Sequence, residues 1–200
     1  MVQTGYGAAA AKGGIMVKIV GISGSLRKGS YNAGLLRSAA ELAPQNCTIE
    51  VNSIRGIPLY DADLEEAEGI PAVVTELKDR IAAADGLLLV TPEYNNSLPG
   101  VFKNAIDWLS RPPGDRGRVF GGRPVGVIGA TPGNFGTAFS QTAWLPVLRT
   151  LGMRPWFDKQ LYISGAARIF DADGRLTDEK MRKRLQAYLT GFADFLHSRS

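Results

Sequence analysis

Five short apolar segments recur along the chain, at residues 17–22, 48–54, 85–91, 124–130 and 159–164. Most of them are continuous apolar runs, which are typical of strands buried on both faces of a sheet. Helix-like segments alternate with them at 31–42, after Pro71, and at 99–110, 136–151 and 177–197, the last of these capped by Thr177. The alternation predicts a parallel sheet with helices on both faces.

The predicted architecture is α/β, a doubly wound five-stranded parallel sheet in the order 2-1-3-4-5. We expect a single domain over residues 17–200, preceded by a flexible tail over 1–16, with long loops at 58–68 and 111–122. In this order strands 1 and 3 are neighbours, and ligands bind beyond their carboxyl ends. The loops that follow these two strands are therefore the first candidates for a site.

The loop after the first strand, at residues 23–30, is rich in serine and glycine and contains Arg27. A strand, a loop of small residues and a helix N-terminus together form an anion site, because their N–H groups and the helix dipole point at the ligand. Gly24 and Gly29 have the spacing of a nucleoside-triphosphate loop, but Ser30 stands where that motif requires lysine. A single phosphate monoester fits better, with a plain strand-to-helix turn as the alternative.

Two further loops lie at the same edge of the predicted sheet. Residues 92–100 hold two prolines, two asparagines and Tyr94, so this stiff loop offers backbone and amide groups to the edge of a flat heterocycle. The same residues can also form a loop that leads into a helix, with Ser97 as the cap and Pro99 in the first turn, and the two roles are compatible. Residues 130–136 follow the fourth strand, where Gly133 and Gly136 permit close approach of the backbone to a ligand.

The amino-acid composition limits the kinds of catalytic and metal sites that the chain can form. The chain has 200 residues, a net charge of +4, one cysteine and one histidine, His197 near the C-terminus. Serine–histidine catalysis and histidine-rich metal sites would lack their usual residues, so we expect a cofactor to supply the chemistry and no metal site. No run approaches the ~20 apolar residues of a membrane span, and no basic run with interleaved aromatics indicates nucleic acid. Cys47, the single cysteine, predicts a reduced thiol in a cytoplasmic protein.

Two motifs make the sequence recognisable. Residues 24–32 read Gly-Ser-Leu-Arg-Lys-Gly-Ser-Tyr-Asn, and residues 92–95 read Pro-Glu-Tyr-Asn, followed by Ser-Leu-Pro-Gly at 97–100 and Lys-Asn-Ala-Ile-Asp-Trp-Leu-Ser at 103–110. At this separation they resemble the NAD(P)H-dependent FMN reductase family, flavodoxin-like proteins that include bacterial quinone, azo-dye and chromate reductases. The resemblance covers about residues 17–196.

The resemblance implies one FMN per subunit, NADPH or NADH as co-substrate, and a homodimer or homotetramer. By the family pattern, the phosphate end would be bound by Ser25, Arg27, Ser30 and Asn32, and residues 92–95 would border the ribityl chain and the ring. The full set of expected cofactor-binding residues is Ser25, Leu26, Arg27, Lys28, Gly29, Ser30, Tyr31, Asn32, Pro92, Glu93, Tyr94, Asn95, Ala130, Thr131 and Gly133. The loop after the fourth strand departs from the family pattern, which often has hydroxyl residues there.

The expected function is FMN-dependent reduction of quinones or similar acceptors by NAD(P)H, with azo compounds, chromate and free flavin as further acceptors. No catalytic side chain is expected, since the flavin carries the chemistry. Donor and acceptor must reach the same exposed face of the ring, which predicts ping-pong kinetics. The alternatives are a flavodoxin-like electron carrier, a class that is usually strongly acidic, whereas this chain has a pI near 9.3, and a nucleotide-binding regulator.

The predicted helix at 99–110 carries more apolar residues than one narrow stripe needs. They are Val101, Phe102, Ile106, Trp108 and Leu109. Packing on the sheet uses some of them, and we expect the others to support self-association through this helix.

Overall fold

A computed structural model describes residues 16–198 of the chain. Its sheet contains the strands β1 (Val17–Ser23), β2 (Cys47–Ser53), β3 (Gly86–Val90), β4 (Pro124–Ala130), β5 (Arg154–Pro155) and β6 (Tyr162–Ile163). The order is β2-β1-β3-β4-β5, with β6 also paired to β4, and every pairing is parallel. The predicted order 2-1-3-4-5 is confirmed. The predicted tail lies outside the described residues except for Met16.

Helices cover both faces of the sheet, as the alternating pattern predicts. They are α1 (Tyr31–Glu41), α2 (Ala62–Glu68), α3 (Ala72–Ala82), α4 (Gly100–Leu109), α5 (Arg116–Phe120), α6 (Ala138–Thr150) and α7 (Glu179–His197). On one face, Leu36 of α1 and Phe192 of α7 pack in one apolar cluster. On the other face, a second cluster holds buried residues of α3, α4, α5 and α6. Within the described residues, no helix is long and apolar enough to cross a membrane.

Two segments predicted as loops contain short helices. The segment at 58–68 contains α2, whose N-terminus is capped by Asp61 through a hydrogen bond from the Asp63 N–H to Oδ1 at 2.9 Å. No residue of α2 is buried, so the segment carries no apolar periodicity that would indicate a helix. The segment at 111–122 contains a 3₁₀ turn at Pro113–Asp115 and then α5, which has only five residues.

The edge of the sheet also differs from the prediction. Instead of one strand at 159–164, two short strands pair with opposite ends of β4. Between them the Lys159 ammonium donates to the Ala187 carbonyl of α7 at 2.9 Å. A two-residue strand that includes Pro155 gives no apolar run, so the sequence pattern does not reveal it. The cap of α7 is Asp178, which accepts from the Met181 N–H at 2.7 Å, and not Thr177.

The apolar residues of α4 are largely used inside the fold. Phe102, Ile106, Trp108 and Leu109 are all buried in the cluster beneath the helix, and Val101 packs against it while half-buried. The sheet therefore accounts for the apolar surplus that the sequence assigned to self-association, and the surface of α4 does not by itself support an interface.

Candidate active site

The loops after β1, β3 and β4 meet at the carboxyl edge of the sheet. The Gly24 N–H donates to the Val90 carbonyl at 3.0 Å, which joins the loop after β1 to the end of β3. A cavity of about 270 Å³ opens between the three loops. It is lined by Ser25, Arg27, Ser30, Tyr31, Asn32, Pro92, Glu93, Tyr94, Ala130, Thr131 and Pro132. The sequence argument that strand order would bring these loops together is confirmed.

Most of the expected cofactor-binding residues line this cavity, but five do not. Lys28 and Gly29 line an adjoining hollow on the outer side of the loop. The other three that lie off the cavity wall are Leu26, Asn95 and Gly133. Sequence reasoning did not assign a role to Pro132, which lines the cavity, or to Arg55, whose guanidinium donates to the Leu26 carbonyl at 2.5 Å. A lone arginine after the second strand gives no signal in the sequence that it tethers this loop.

One end of the cavity lies at the N-terminus of α1. Ser30 caps the helix by accepting from the Ala33 N–H at 3.2 Å, and the first turn holds no acidic residue. The Arg27 guanidinium stands 5.2 Å from the centre of the Tyr31 ring, a cation–π distance. The helix dipole and one cation thus act on the same point, which favours an anion there.

Asn32 holds the floor of the cavity together. Its side-chain amide donates to the Ala130 carbonyl at 2.8 Å, and its Oδ1 accepts from the Ala130 N–H at 2.9 Å. These two bonds join α1 to the end of β4, across 98 positions in sequence. Asn32 is buried, and its side-chain amide forms these two hydrogen bonds to the Ala130 backbone. Its expected contact with the phosphate stays a prediction.

The loop after β3 is a tight hairpin turn. Tyr94 and Ser97 exchange two backbone hydrogen bonds at 3.1 and 3.0 Å, and Asn95 and Asn96 both have positive φ, at 50° and 58°. Two positive φ angles define a type I′ turn, in which asparagine is one of the favoured residues. The prediction that Ser97 caps the next helix is wrong. Pro99 is the N-cap residue of α4 and not a first-turn residue.

Glu93 connects this loop to α6. Its Oε2 accepts from the backbone N–H groups of Phe139 and Ser140 at 3.0 and 3.2 Å. Thr137, the N-cap residue of α6, makes no capping bond with its own side chain, so a carboxylate from another loop takes that role. The Glu93 side chain is therefore directed to the helix, while its backbone borders the cavity.

The loop after β4 is fixed to the sheet edge. The Thr131 N–H donates to the Ile163 carbonyl at 2.9 Å, and the Thr131 carbonyl accepts from the Ala166 N–H at 3.0 Å. The Gly133 N–H turns inward to the Thr131 hydroxyl at 3.2 Å. The Gly133 N–H therefore forms a hydrogen bond within its own loop.

Two observations test whether this cavity fits FMN. The Ser23 hydroxyl, at the end of β1 and the start of the loop at 23–30, is buried without a hydrogen-bond partner. The hydroxyls of Ser25 and Ser30 and the side chain of Arg27 line the cavity itself. Together these groups suit a phosphate monoester. Pro92, Tyr94 and Ala130 offer a neutral wall that suits a flat ring. The residues present fit the group.

Comparison with known proteins agrees with this geometry. The family model described as NADPH-dependent FMN reductase matches residues 17–168. An NAD(P)H-dependent FMN reductase of Pseudomonas aeruginosa is 47% identical over 86% of this chain and 91% of its own length. A 2-hydroxy-1,4-benzoquinone reductase of a Burkholderia species is 40% identical over 92% of this chain and 98% of its own.

Among solved structures, FerB, a flavoenzyme NAD(P)H:(acceptor) oxidoreductase of Paracoccus denitrificans, superposes with a TM-score of 0.81 at 37% identity. The match covers 92% of this chain and 98% of FerB. The family match extends over both motifs and all three loops of the cavity. This chain belongs to the NADPH-dependent FMN reductase family.

Proposed function

We propose that the chain is an FMN-dependent oxidoreductase that uses NADPH or NADH to reduce quinones. The observation that carries the proposal is the cavity at the carboxyl edge, whose lining combines Arg27 and the start of α1 with the uncharged residues Pro92, Tyr94 and Ala130. Relatives named FMN reductase and quinone reductase, at about 40% identity or more, support the same reaction. When bound, FMN supplies two-electron chemistry between a nicotinamide and an acceptor.

The residues of this chain bind and orient. We assign the phosphate to the loop at 23–30, where Arg27 offers a bidentate pair and Ser25 and Ser30 offer hydroxyls. Asn32 and Glu93 hold the neighbouring loops in register through the bonds described above. Pro92 and Tyr94 border the ring. No side chain is required as a nucleophile.

We propose that nicotinamide and acceptor use the site in turn. The loops after β1, β3 and β4 enclose one cavity, so both substrates approach one exposed side of the ring. Occupation by one then excludes the other, which gives ping-pong kinetics. Initial rates measured at several fixed acceptor concentrations should produce parallel double-reciprocal lines. Intersecting lines would show that both substrates are bound together and would reject the shared site.

The direct test of the cofactor assignment is spectroscopic. The purified chain, incubated with FMN and desalted, should retain a flavin absorbance spectrum that bleaches on anaerobic titration with NADPH or NADH. The nicotinamide that bleaches the flavin faster at equal concentration is the donor that the site prefers. A chain that stays colourless after incubation with FMN contradicts the proposal, and one that binds FMN but is not reduced by either nicotinamide indicates an electron carrier.

Two finer assignments concern the assembly and the location of the chain, and the first rests on the family resemblance. We propose a homodimer or homotetramer. A groove of about 420 Å³ beside α4, lined in part by exposed Pro146 and half-buried Val147 of α6, offers surface for it. Light scattering at micromolar concentration tests this, and a single 21.5 kDa species would contradict it.

We also propose a cytoplasmic location, in line with one free cysteine, Cys47. Fractionation of the source cells, with the chain in the membrane-free soluble fraction, would support it.

A further inference from the structure

Two exposed aromatic side chains stand at the start of α6, beside the candidate active site. Phe135 is 59% exposed and Phe139 is 42% exposed. Their ring centres lie 4.9 Å apart with the planes at 66°, an edge-to-face arrangement. Large apolar side chains at this exposure gain little from the fold, so the pair calls for an explanation other than core packing.

The pair lies next to the cavity, although neither residue is part of the cavity lining. The Phe139 N–H donates to Glu93 at 3.0 Å, and Glu93 and Tyr94 are consecutive residues of the cavity lining. On its other side, Phe135 lies three residues after Pro132, which also lines the cavity. Tyr94 is itself 47% exposed. Three exposed aromatic side chains thus lie on segments next to the cavity: Tyr94 in the loop after β3, Phe135 in the loop after β4 and Phe139 in the first turn of α6.

The backbone that presents the pair is strained. The Ala138 N–H donates to the Phe135 carbonyl at 3.0 Å, and the two residues between them, Gly136 and Thr137, have φ angles of 62° and 69°. A β-branched residue in the left-handed region is an outlier that persists only where its surroundings enforce it. Thr137 is fully buried, and its hydroxyl accepts from the Gln141 amide at 3.0 Å. This tight turn brings Phe135 and Phe139 together and fixes them.

The charges around the cavity point to the kind of ligand. Among its described lining residues only Arg27 and Glu93 are charged. Arg27 stands over Tyr31 at the phosphate end, and the Glu93 carboxylate is engaged by the amides of α6. The neutral end therefore presents aromatic surface and, among these lining residues, no free cation to attract an oxyanion.

We infer that Phe135 and Phe139 are specificity-determining residues of the reaction proposed above. They form an apolar wall on which the planar, uncharged ring of an aromatic acceptor packs, while small anionic acceptors gain nothing from it. This inference rests on the proposed function, because the wall matters only if acceptors are reduced in this cavity.

The test compares acceptors in single variants. Phe135→Ala and Phe139→Ala should each raise KM for 1,4-naphthoquinone about 3- to 10-fold, the range of a lost aromatic contact. The kcat/KM for ferricyanide should stay within about twofold of the parent, since an aromatic contact does not act on an inorganic anion. The dissociation constant of coumarin, a redox-inert planar probe, measured by quenching of the flavin fluorescence, should rise by the same factor as KM. Phe139→Tyr keeps an aromatic ring at this position and should therefore raise KM for 1,4-naphthoquinone much less than Phe139→Ala does.

Phe157→Ala is the matched control. Phe157 is 58% exposed and lines a separate groove at the edge of the sheet, so its removal should leave both acceptors unchanged. The inference is overturned if both acceptors are affected equally, if neither changes, or if the control behaves like the two variants. A parent that binds no FMN or does not reduce 1,4-naphthoquinone overturns the proposed function instead, and the inference with it. The FMN dissociation constant, equal in parent and variants, separates the two failures.

Discussion

Replacing Asn32 by alanine tests whether the floor of the cavity is held by one side chain. The substitution removes two hydrogen bonds of 2.8 and 2.9 Å and leaves both backbone groups of Ala130 without that partner. An unsatisfied buried polar group costs about 1–3 kcal/mol. Two such groups predict a loss of roughly 2–4 kcal/mol, in the lower part of the summed range because a water can enter the space vacated by the amide.

Asn32→Asp gives the same site a pH dependence of known sign. The carboxylate can accept from the Ala130 N–H but repels the Ala130 carbonyl, whereas the protonated acid can serve both. Burial therefore raises the pKa of the introduced carboxyl in the folded state above its value of about 3.9 in the unfolded chain. The contribution of this carboxyl to stability is fully present below the unfolded pKa and is lost as the pH rises through the folded pKa. The variant should be less destabilised at pH 4 than at pH 8.

Urea denaturation of the FMN-free proteins measures both effects. The m-value should not change, so that the shift in midpoint reports stability. Asn134→Ala, at an exposed asparagine of the loop after β4, is the control and should stay within about 0.5 kcal/mol of the parent. A stability loss below about 0.5 kcal/mol in Asn32→Ala would refute this role of the Asn32 side chain, and so would an Asn32→Asp variant whose stability follows that of the parent across pH.

Two further substitutions and one pH titration test other residues of the structure. Arg27→Ala should weaken FMN binding by about 1.5–3 kcal/mol, since a charged hydrogen bond is lost, and fluorescence titration measures this loss. Lys183→Ala, at an exposed position of α7, should leave FMN binding unchanged. Glu93→Ala should destabilise the chain by about 1 kcal/mol through loss of the α6 cap, with Glu93→Gln less affected, and an unchanged urea midpoint would contradict the cap. Burial, and secondarily the charge of Asp85, raises the pKa of Cys47 to about 11. Stability should therefore fall as pH rises from about 9 towards 11, and Cys47→Ala should flatten this fall.

The sequence determined the sheet order and the meeting point of the loops, because apolar runs report buried strands and strand order places their carboxyl ends. It did not reveal α2, which buries no residue, or the division of the edge strand at Pro155. Both depend on contacts rather than on a periodic pattern. Arg55 was missed for the same reason, since its only signal is a hydrogen bond to a distant carbonyl.

The polar residues of the two motifs show a more specific limit. Asn32 and Glu93 were both predicted as cofactor contacts, and in the structure their side chains bond to backbone groups of β4 and α6, respectively. A cavity built from three separate loops needs such links to keep its shape before a ligand binds, and the loops themselves must supply them. A motif residue that binds the cofactor and one that shapes the cavity therefore look alike in sequence. They differ in what their loss changes. Removing the Arg27 side chain, which is exposed, should reduce the affinity for FMN with little effect on the stability of the FMN-free protein. Removing the Asn32 side chain should reduce both the affinity for FMN and the stability of the FMN-free protein.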